Sequence, residues 1–208
     1  MKTKFILFDF DGVIADSFDL AFDTAKTICP TITKVDYQKR FEGNIHDVKH
    51  PEIFHNDECR HDLNWFDIYV PKMKERAKLF PRMKEIIFEL EKEYMLIIVS
   101  STITFPIEEF LTLHNFRDHF DWVMGSDVHK SKVEKIKMVF EKYKAEAKDC
   151  VFITDTLGDI HEAEKMGVPS IGVTWGFCTP ETLQQGKLLK LVDTPDELKD
   201  AIIEYFPA

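Results

Sequence analysis

Two aspartates in the run Asp9-Phe10-Asp11-Gly12 are the residues of this chain best placed to do chemistry. They directly follow the apolar run 5–8, which predicts a buried strand. Because side chains alternate along a strand, both aspartates are expected to point the same way at its carboxyl end, where Gly12 permits a sharp exit. Such a pair can bind a hard cation and divide the roles of nucleophile and proton donor. A polar strand end with an Asp-Gly turn is the alternative.

A second polar cluster, Ser100-Ser101-Thr102, directly follows the continuous apolar run 95–99. A run of this kind is typical of a parallel strand that is covered on both faces. Hydroxyl and backbone N–H groups after such a strand could bind a phosphoryl group. A turn that caps the following helix is the alternative.

A lysine forms the third cluster. Lys132 follows a predicted strand at 120–124 and begins a predicted helix at 132–144. A lysine at this place can neutralise charge on a transferring group. Lys130 and Lys135 compete for the same assignment, and a solvated side chain is the simpler alternative.

The fourth cluster adds a second pair of carboxylates, Asp155 and Asp159, after a predicted strand at 151–154. Magnesium prefers oxygen ligands, and proteins usually supply one or two carboxylates. Asp155 is the candidate ligand, whereas Asp159 is expected to orient a ligating water or Lys132. Either aspartate alone could instead cap a helix.

The elements that must position these clusters alternate between strands and helices. A helix is predicted to begin at Asp16 or Ser17 and to end before Pro30, and further helices are predicted from 83, over 106–114 and 159–166, and from Thr194-Pro195. A last strand is predicted at 170–173. This alternation predicts an α/β fold with an open parallel sheet, in which ligands bind beyond the carboxyl ends of the strands.

Residues 31–80 differ in character, since they are rich in charge, aromatics and histidine and contain no strong strand run. The segments 34–42, 46–54 and 61–78 are typical of short helices. We therefore predict a core formed by residues 1–15 and 81–208 and an inserted helical subdomain at 16–80.

Composition narrows the class of protein. The 208 residues are 44% hydrophobic and 31% charged, with a formal charge of -10. This charge argues against non-specific binding to nucleic acid or to anionic membranes, and neither a signal peptide nor a bilayer-spanning run is predicted. The four cysteines lie far apart without a CxxC pattern, which predicts free buried thiols and a cytoplasmic location; they are Cys29, Cys59, Cys150 and Cys178.

Taken in order, the four clusters resemble the motifs of the haloacid dehalogenase-like (HAD) superfamily, across the chain outside the insertion. The resemblance implies a Rossmann-like core with a helical cap inserted after the first motif, the C1 position. The run 9–17 is similar to that of the capped phosphatases, and the run 172–176 to one in phosphoglycolate phosphatase-like members. Within the superfamily, the chain thus resembles the phosphoglycolate phosphatase-like and β-phosphoglucomutase-like subgroup. Thr154, in place of a usual glycine, and Val133, in place of a frequent proline, depart from the pattern.

The resemblance also implies roles. Asp9 would attack phosphorus to form an aspartyl-phosphate, and Asp11 would protonate the leaving alkoxide and then activate water. Ser100 would bind the phosphoryl oxygens, and Lys132 would offset their charge. Asp9, the Asp11 backbone carbonyl and Asp155 would hold Mg²⁺.

Substrate contacts are expected from Ser101 and from three residues of the cap, Arg40, Asn44 and His46; an ordinary polar surface is the alternative for the cap residues. Three aromatic residues of the cap are expected to pack its own small core, namely Trp65, Phe66 and Tyr69. A zinc site at His55, Cys59 and His61 is disfavoured, because the spacing is not standard and a fourth ligand is not evident.

The sequence thus predicts a Mg²⁺-dependent phosphomonoester hydrolase acting on a small phosphorylated metabolite, as a monomer or homodimer. By resemblance, phosphoglycolate is the leading substrate, and Asp11 favours phosphoryl transfer over dehalogenation. A sugar-phosphate mutase and a non-catalytic HAD-fold binding protein remain open, as does phosphonate cleavage through Lys39 or Lys49.

Overall fold

The computed structural model describes residues 2–46 and 57–207, and within them six strands form one parallel sheet. In sheet order the strands are β5 (Trp122–Met124), β4 (Met95–Val99), β1 (Phe5–Phe8), β6 (Cys150–Thr154), β7 (Ser170–Val173) and β8 (Leu188–Val192). Two short strands, β2 (Ala15–Asp16) and β3 (Lys78–Leu79), pair antiparallel beside it. The predicted α/β fold with a parallel sheet is confirmed.

The register of the central strands brings the polar clusters together. Phe8 on β1 pairs with Ile98 on β4 and with Ile153 on β6, so the three strands end at the same level. The chain builds β4 and β5 on one side of β1 and then crosses to β6 on the other. This reversal beside β1 is the place where ligands bind in open α/β sheets.

Helices cover the sheet and the ends of its strands. In chain order they are α1 (Phe18–Ile28), α2 (Lys34–Lys39), α3 (Trp65–Arg76), α4 (Met83–Leu90), α5 (Thr104–Leu113), α6 (Lys132–Tyr143), α7 (Leu157–Lys165), α8 (Pro180–Leu183) and α9 (Pro195–Tyr205). The first three lie between β2 and β3 in the chain, within the range predicted as an insertion. The predicted segment 46–54 falls almost entirely outside the described residues.

Alternation along β1 decides which helices face the first aspartate. Phe5 and Leu7 belong to one apolar cluster, together with residues of α6 and α7, whereas Ile6 and Phe8 belong to the cluster on the other face. Asp9 continues the parity of Phe5 and Leu7. It therefore points towards the side of the sheet on which α6 and α7 begin.

The prediction of four free thiols is wrong for two of them. Cys29 and Cys59 form a disulfide with their Cα atoms 4.2 Å apart, while Cys150 and Cys178 are free and buried. The end of α1 meets the segment before α3, where the Arg60 amide donates to the Ile28 carbonyl at 2.7 Å. The disulfide joins residues that are 30 positions apart, so spacing alone does not reveal it.

Strand β8 and the short helix α8 were not predicted, because the run Leu188–Val192 has a lysine at its centre and is mostly exposed or half-buried. Within residues 2–46 and 57–207, every helix is too short or too polar to span a lipid bilayer.

Candidate active site

A cavity of about 210 Å³ lies beyond the carboxyl ends of the central strands. Its floor consists of polar residues from the core: Asp9, Asp11, Ser101, Thr102, Lys132, Thr156 and Asp159. The other lining residues come mainly from the helical segment before β3: Ala21, Tyr37, Arg40, Phe41, Ile45, His46, Trp65, Phe66 and Tyr69, joined by Phe177. The structure thus brings three of the four polar clusters into one cavity, while the fourth contributes Asp159 but not Asp155.

Asp9 and Lys132 form a buried ion pair on the floor. Lys132 Nζ lies 2.9 Å from Asp9 Oδ2 and 2.5 Å from Asp159 Oδ2. Thr154, the departure from the usual glycine, donates to the same Asp159 oxygen at 2.8 Å. The pair forms because Asp9 faces α6 and α7, whose first turns carry Lys132 and Asp159.

Burial and mutual electrostatic interaction shift the pKa values of Asp9, Asp159 and Lys132. Burial raises the pKa of Asp9 well above its ordinary value, and the Lys132 ammonium offsets only part of that rise. Burial acts in the same direction on Asp159, but Lys132 and the hydroxyl of Thr154 overcome it and hold the pKa of Asp159 below its usual value. The pKa of Lys132 is raised, because its two carboxylate partners outweigh the burial that opposes its charge.

The two rival lysines lie elsewhere. Lys130 is exposed. Lys135 is fully buried, and its ammonium donates to the backbone carbonyl of Ser100 and lies 3.4 Å from that of Gly125. Burial and the neighbouring Lys132 lower the pKa of Lys135 to about 7. Lys135 therefore holds the backbone of the loop after β4 and does not line the cavity.

Asp155 is buried beside Asp9 with one oxygen held and one without a partner. Asp155 Oδ2 accepts the Phe177 amide at 2.7 Å, whereas Oδ1 has no hydrogen bond among the described residues. A Cβ at Gly12 would lie 1.9 Å from Asp155 Oδ2, and one at Gly176 would lie 2.2 Å from it. Burial raises the pKa of Asp155 to about 7, with the Phe177 amide acting against it.

This donor set fits a magnesium ion. Asp9 and Asp155 are its two buried carboxylate donors, and Asp159 is a third buried carboxylate that Lys132 engages from outside the set. Two features favour a small divalent cation here. Asp155 Oδ1 has lone pairs that accept no hydrogen bond from any residue that the structure describes, and the buried carboxylates outnumber the single ammonium group of Lys132. Among the described residues, no group of three or more His, Cys, Asp or Glu side chains could hold a metal, so a backbone carbonyl and non-protein oxygens would have to complete the shell.

Asp11 is held by three hydroxyl groups. Its Oδ1 accepts from Ser17 at 2.8 Å and from Tyr69, and its Oδ2 accepts from Thr102 at 2.6 Å. Ser17 is the first residue before α1, yet its side chain makes no capping bond because it is turned to Asp11. Burial and the Asp11 carboxylate raise the pKa of Tyr69 well above its ordinary value.

Sequence reasoning gave no site role to Tyr69, and it placed Thr102 only among the hydroxyl groups that could bind a phosphoryl group, without a contact to Asp11. Both contact Asp11 across long separations, 58 and 91 positions. A partial signal existed for Tyr69, because it shares a helix face with Trp65 and Met73, and a buried tyrosine hydroxyl normally finds a partner.

The expected phosphate-binding serines lie at different depths. Ser101 lines the cavity. Ser100 is buried beneath it, where its hydroxyl accepts the Thr102 amide at 3.0 Å. Neither Ser100 nor Ser101 caps α5, which begins after Ile103 without a side-chain cap. Similarly, α7 begins after Thr156, so neither Asp155 nor Asp159 is its N-cap.

Of the three residues of the helical segment that were expected to contact the substrate, two line the cavity and one does not. Arg40 and His46 line the cavity, but Asn44 does not. Asn44 donates to Glu162 Oε1 at 3.2 Å and accepts the His46 amide at 2.9 Å, so both ends of its amide are engaged. Glu162 was not singled out in the sequence; the same oxygen also accepts from Ser131 at 2.9 Å and from the Lys132 amide at 3.0 Å.

His46 presents a neutral imidazole towards the site. Its Nε2 is buried and has no partner among the described residues. Burial lowers the pKa of His46 to about 4, helped by Lys135, Lys130 and Lys132 nearby. His46 therefore supplies hydrogen-bonding capacity near neutral pH and no positive charge.

The structure adds no support for a zinc site in the helical segment or for phosphonate cleavage through Lys39 or Lys49. His55 and Lys49 lie outside the described residues. Cys59 is bonded to Cys29, and Lys39 pairs with Asp36 at 3.0 Å.

Comparison with known proteins gives consistent results. Residues 6–173 match the family model of haloacid dehalogenase-like hydrolases. The phosphoglycolate phosphatase of Vibrio vulnificus is 25% identical over 97% of both chains, and that of Synechococcus elongatus is 22% identical over 96% of this chain and 97% of its own. A predicted phosphatase from Clostridium acetobutylicum superposes with a TM-score of 0.83 at 23% identity, covering 98% of this chain and all of that one. The last likeness is one of fold.

Proposed function

Because this chain belongs to the haloacid dehalogenase-like hydrolase family, we propose that it is a Mg²⁺-dependent phosphatase that hydrolyses a small phosphomonoester through an aspartyl-phosphate. One observation carries the proposal. The Asp9 carboxylate lies on the floor of a cavity, paired at 2.9 Å with the buried Lys132 ammonium, and Asp11 lines the same cavity. The names of the relatives support phosphoester chemistry and leave the substrate to be found.

In the first step, Asp9 is the nucleophile. One of its carboxylate oxygens forms a bond to phosphorus while the bond from phosphorus to the alcohol oxygen breaks. Asp11, in its protonated form, gives its proton to that departing oxygen, so the alcohol leaves neutral. Lys132 remains beside Asp9 and offsets the negative charge that gathers there.

In the second step, Asp11 is the base. Now ionised, it takes a proton from a water molecule as the water oxygen attacks phosphorus. The bond between phosphorus and the Asp9 oxygen breaks, inorganic phosphate leaves, and both aspartates return to their starting forms. The hydroxyls of Ser17, Thr102 and Tyr69 all donate to Asp11, and this arrangement suits its ionised form as the base of the second step.

Magnesium would be held by Asp9, the Asp11 carbonyl and Asp155, whose Oδ1 has no hydrogen-bond partner within residues 2–46 and 57–207. Its chemistry is to screen the phosphoryl oxygens and so lower the repulsion between a dianionic phosphate and the Asp9 carboxylate. Asp159 supports the arrangement from outside by holding Lys132.

The proposal is tested by phosphate release from a panel of phosphorylated metabolites in the presence of Mg²⁺. We expect release from a few compounds, abolished by Asp9→Asn and by a chelator. Asp19→Asn, which alters an exposed carboxylate on α1, is the matched control and should retain full activity. Absence of release from every compound by folded wild-type protein would contradict the proposal and favour a mutase or a binding role.

A further inference from the structure

The roof of the cavity is built of aromatic rings. Trp65 stacks on Tyr69 with ring centres 5.6 Å apart at 28°, and on Tyr37 with centres 6.4 Å apart at 21°. Phe41 meets Phe177 edge-on at 4.9 Å and 84°. All five rings line the cavity. Because the rings pack against one another, they form one continuous aromatic wall of the cavity.

Positive charge is scarce in the same cavity. Among its described lining residues the cations are Arg40 and Lys132, and Lys132 is already engaged by Asp9 and Asp159. His46 is neutral for the reason given above. Among the described lining residues, Arg40 is the one further cation that a leaving group with its own carboxylate would meet, while most of its surface would face apolar rings, and an anion buried in that way is costly.

The volume of the cavity indicates the size of ligand that it can hold. A cavity of about 150 Å³ accepts a benzene molecule. The 210 Å³ here therefore suits one six-membered ring together with a phosphoryl group on the polar floor.

Building on the proposed function, we propose that the substrate is a phosphomonoester whose alcohol carries one flat, largely apolar ring. The ring lies against Trp65 and Phe66, which are half-buried and both line the cavity. A single polar substituent on the ring can reach Arg40, which lines the cavity. The phosphoryl group then lies over Asp9.

The first test compares primary alkyl phosphates that differ in the group beyond the reacting oxygen. The probes are benzyl phosphate, cyclohexylmethyl phosphate, ethyl phosphate and phosphoglycolate. Benzyl phosphate is expected to exceed cyclohexylmethyl phosphate in kcat/KM by about threefold to tenfold, the range of a specific aromatic contact, and to exceed phosphoglycolate by roughly tenfold or more. A higher kcat/KM for phosphoglycolate than for benzyl phosphate overturns the inference.

A variant pair separates recognition from folding. Trp65→Leu removes a ring of the cavity wall, and Phe22→Leu removes a ring that packs on Tyr37 at 5.7 Å without lining the cavity. Trp65→Leu should lower kcat/KM for benzyl phosphate by roughly tenfold and leave ethyl phosphate within about twofold. Phe22→Leu should preserve the ratio of the two substrates. An unchanged benzyl-to-ethyl ratio in Trp65→Leu also overturns the inference.

A binding experiment keeps this inference separate from the proposed function. Calorimetry with Asp9→Asn measures the affinity for benzylphosphonate and for phosphonoacetate, which cannot be hydrolysed. Tighter binding of benzylphosphonate supports the inference even if no substrate is turned over, a result that would contradict only the phosphatase proposal. Tighter binding of phosphonoacetate contradicts the inference while leaving the phosphatase proposal intact.

Discussion

The metal-free protein is expected to lose stability as pH rises from acid to neutral, and the buried carboxyl group of Asp155 contributes to this loss. Burial raises its pKa from 3.8 to about 7. The folded protein therefore holds the Asp155 proton more tightly than the unfolded chain does. Below about pH 4 both states are protonated and nothing is lost, whereas above about pH 7 the folded state must carry a buried carboxylate that the unfolded chain solvates.

The magnitude follows from the same two values. At about 1.4 kcal/mol for each pH unit, the rise from 3.8 to about 7 is worth roughly 4 kcal/mol, with roughly half lost between pH 5 and pH 7. Asp155→Asn is the matched variant, because an amide oxygen can still accept the Phe177 amide. Without metal it should be more stable than the wild type by roughly 4 kcal/mol at about pH 8 and nearly equal to it at about pH 4.

The assay is urea unfolding across this pH range, first with a chelator and then with Mg²⁺. Magnesium should restore the stability of the wild type at about pH 8 and have much less effect on Asp155→Asn, since only the wild type gains a partner for Asp155 Oδ1. Parallel pH profiles for the two proteins in the chelator would refute the reasoning, because the buried charge would then have no cost.

Three further changes have defined outcomes. Lys132→Met leaves two buried carboxylates without their cation and should cost about 3–5 kcal/mol in urea unfolding, against at most about 0.5 kcal/mol for the exposed Lys130→Met; equal losses would contradict the buried ion pair. Tyr69→Phe should lower kcat about tenfold with little change in KM, since it removes a hydrogen bond to a charged group, while Tyr37→Phe should keep kcat; identical kcat values would give the Tyr69 hydroxyl a structural role only. Cys59→Ser should lower the free energy of unfolding by about 3 kcal/mol in urea under non-reducing conditions. Titration of four free thiols in the wild type would argue against the disulfide.

Local patterns were sufficient to predict five of the six described strands of the parallel sheet and the floor of the site. The runs Phe5–Phe8 and Met95–Val99 are strongly apolar, and the strands they form are almost fully buried. Polar residues that directly follow parallel strands must meet at one edge of the sheet. Asp9 and Asp155 therefore came together without knowledge of any contact. The face on which Asp9 lies also follows from simple alternation along β1.

The roof could not be predicted in the same way, because its contacts join distant parts of the chain. Tyr69 reaches Asp11 only after α3 has packed over the site, and Asn44 meets Glu162 across 118 positions. Trp65 was expected to pack a small core, and it does stack on Tyr69, but it also faces the cavity. Helical spacing identifies a buried face and cannot distinguish its partner, a protein core, from a substrate.

The central claim, that Asp9 carries the phosphoryl group and Asp11 releases it, is tested most directly by a rapid-mixing experiment on Asp11→Asn with p-nitrophenyl phosphate and Mg²⁺. The nitrophenolate group leaves without a proton, so the first step should still proceed, while the second lacks its base. We predict a burst of nitrophenolate approaching one equivalent of enzyme, followed by slow turnover, with the phosphoryl group found on Asp9 by mass spectrometry of the quenched protein. Linear release without a burst, or a phosphoryl group on another residue, would contradict the account.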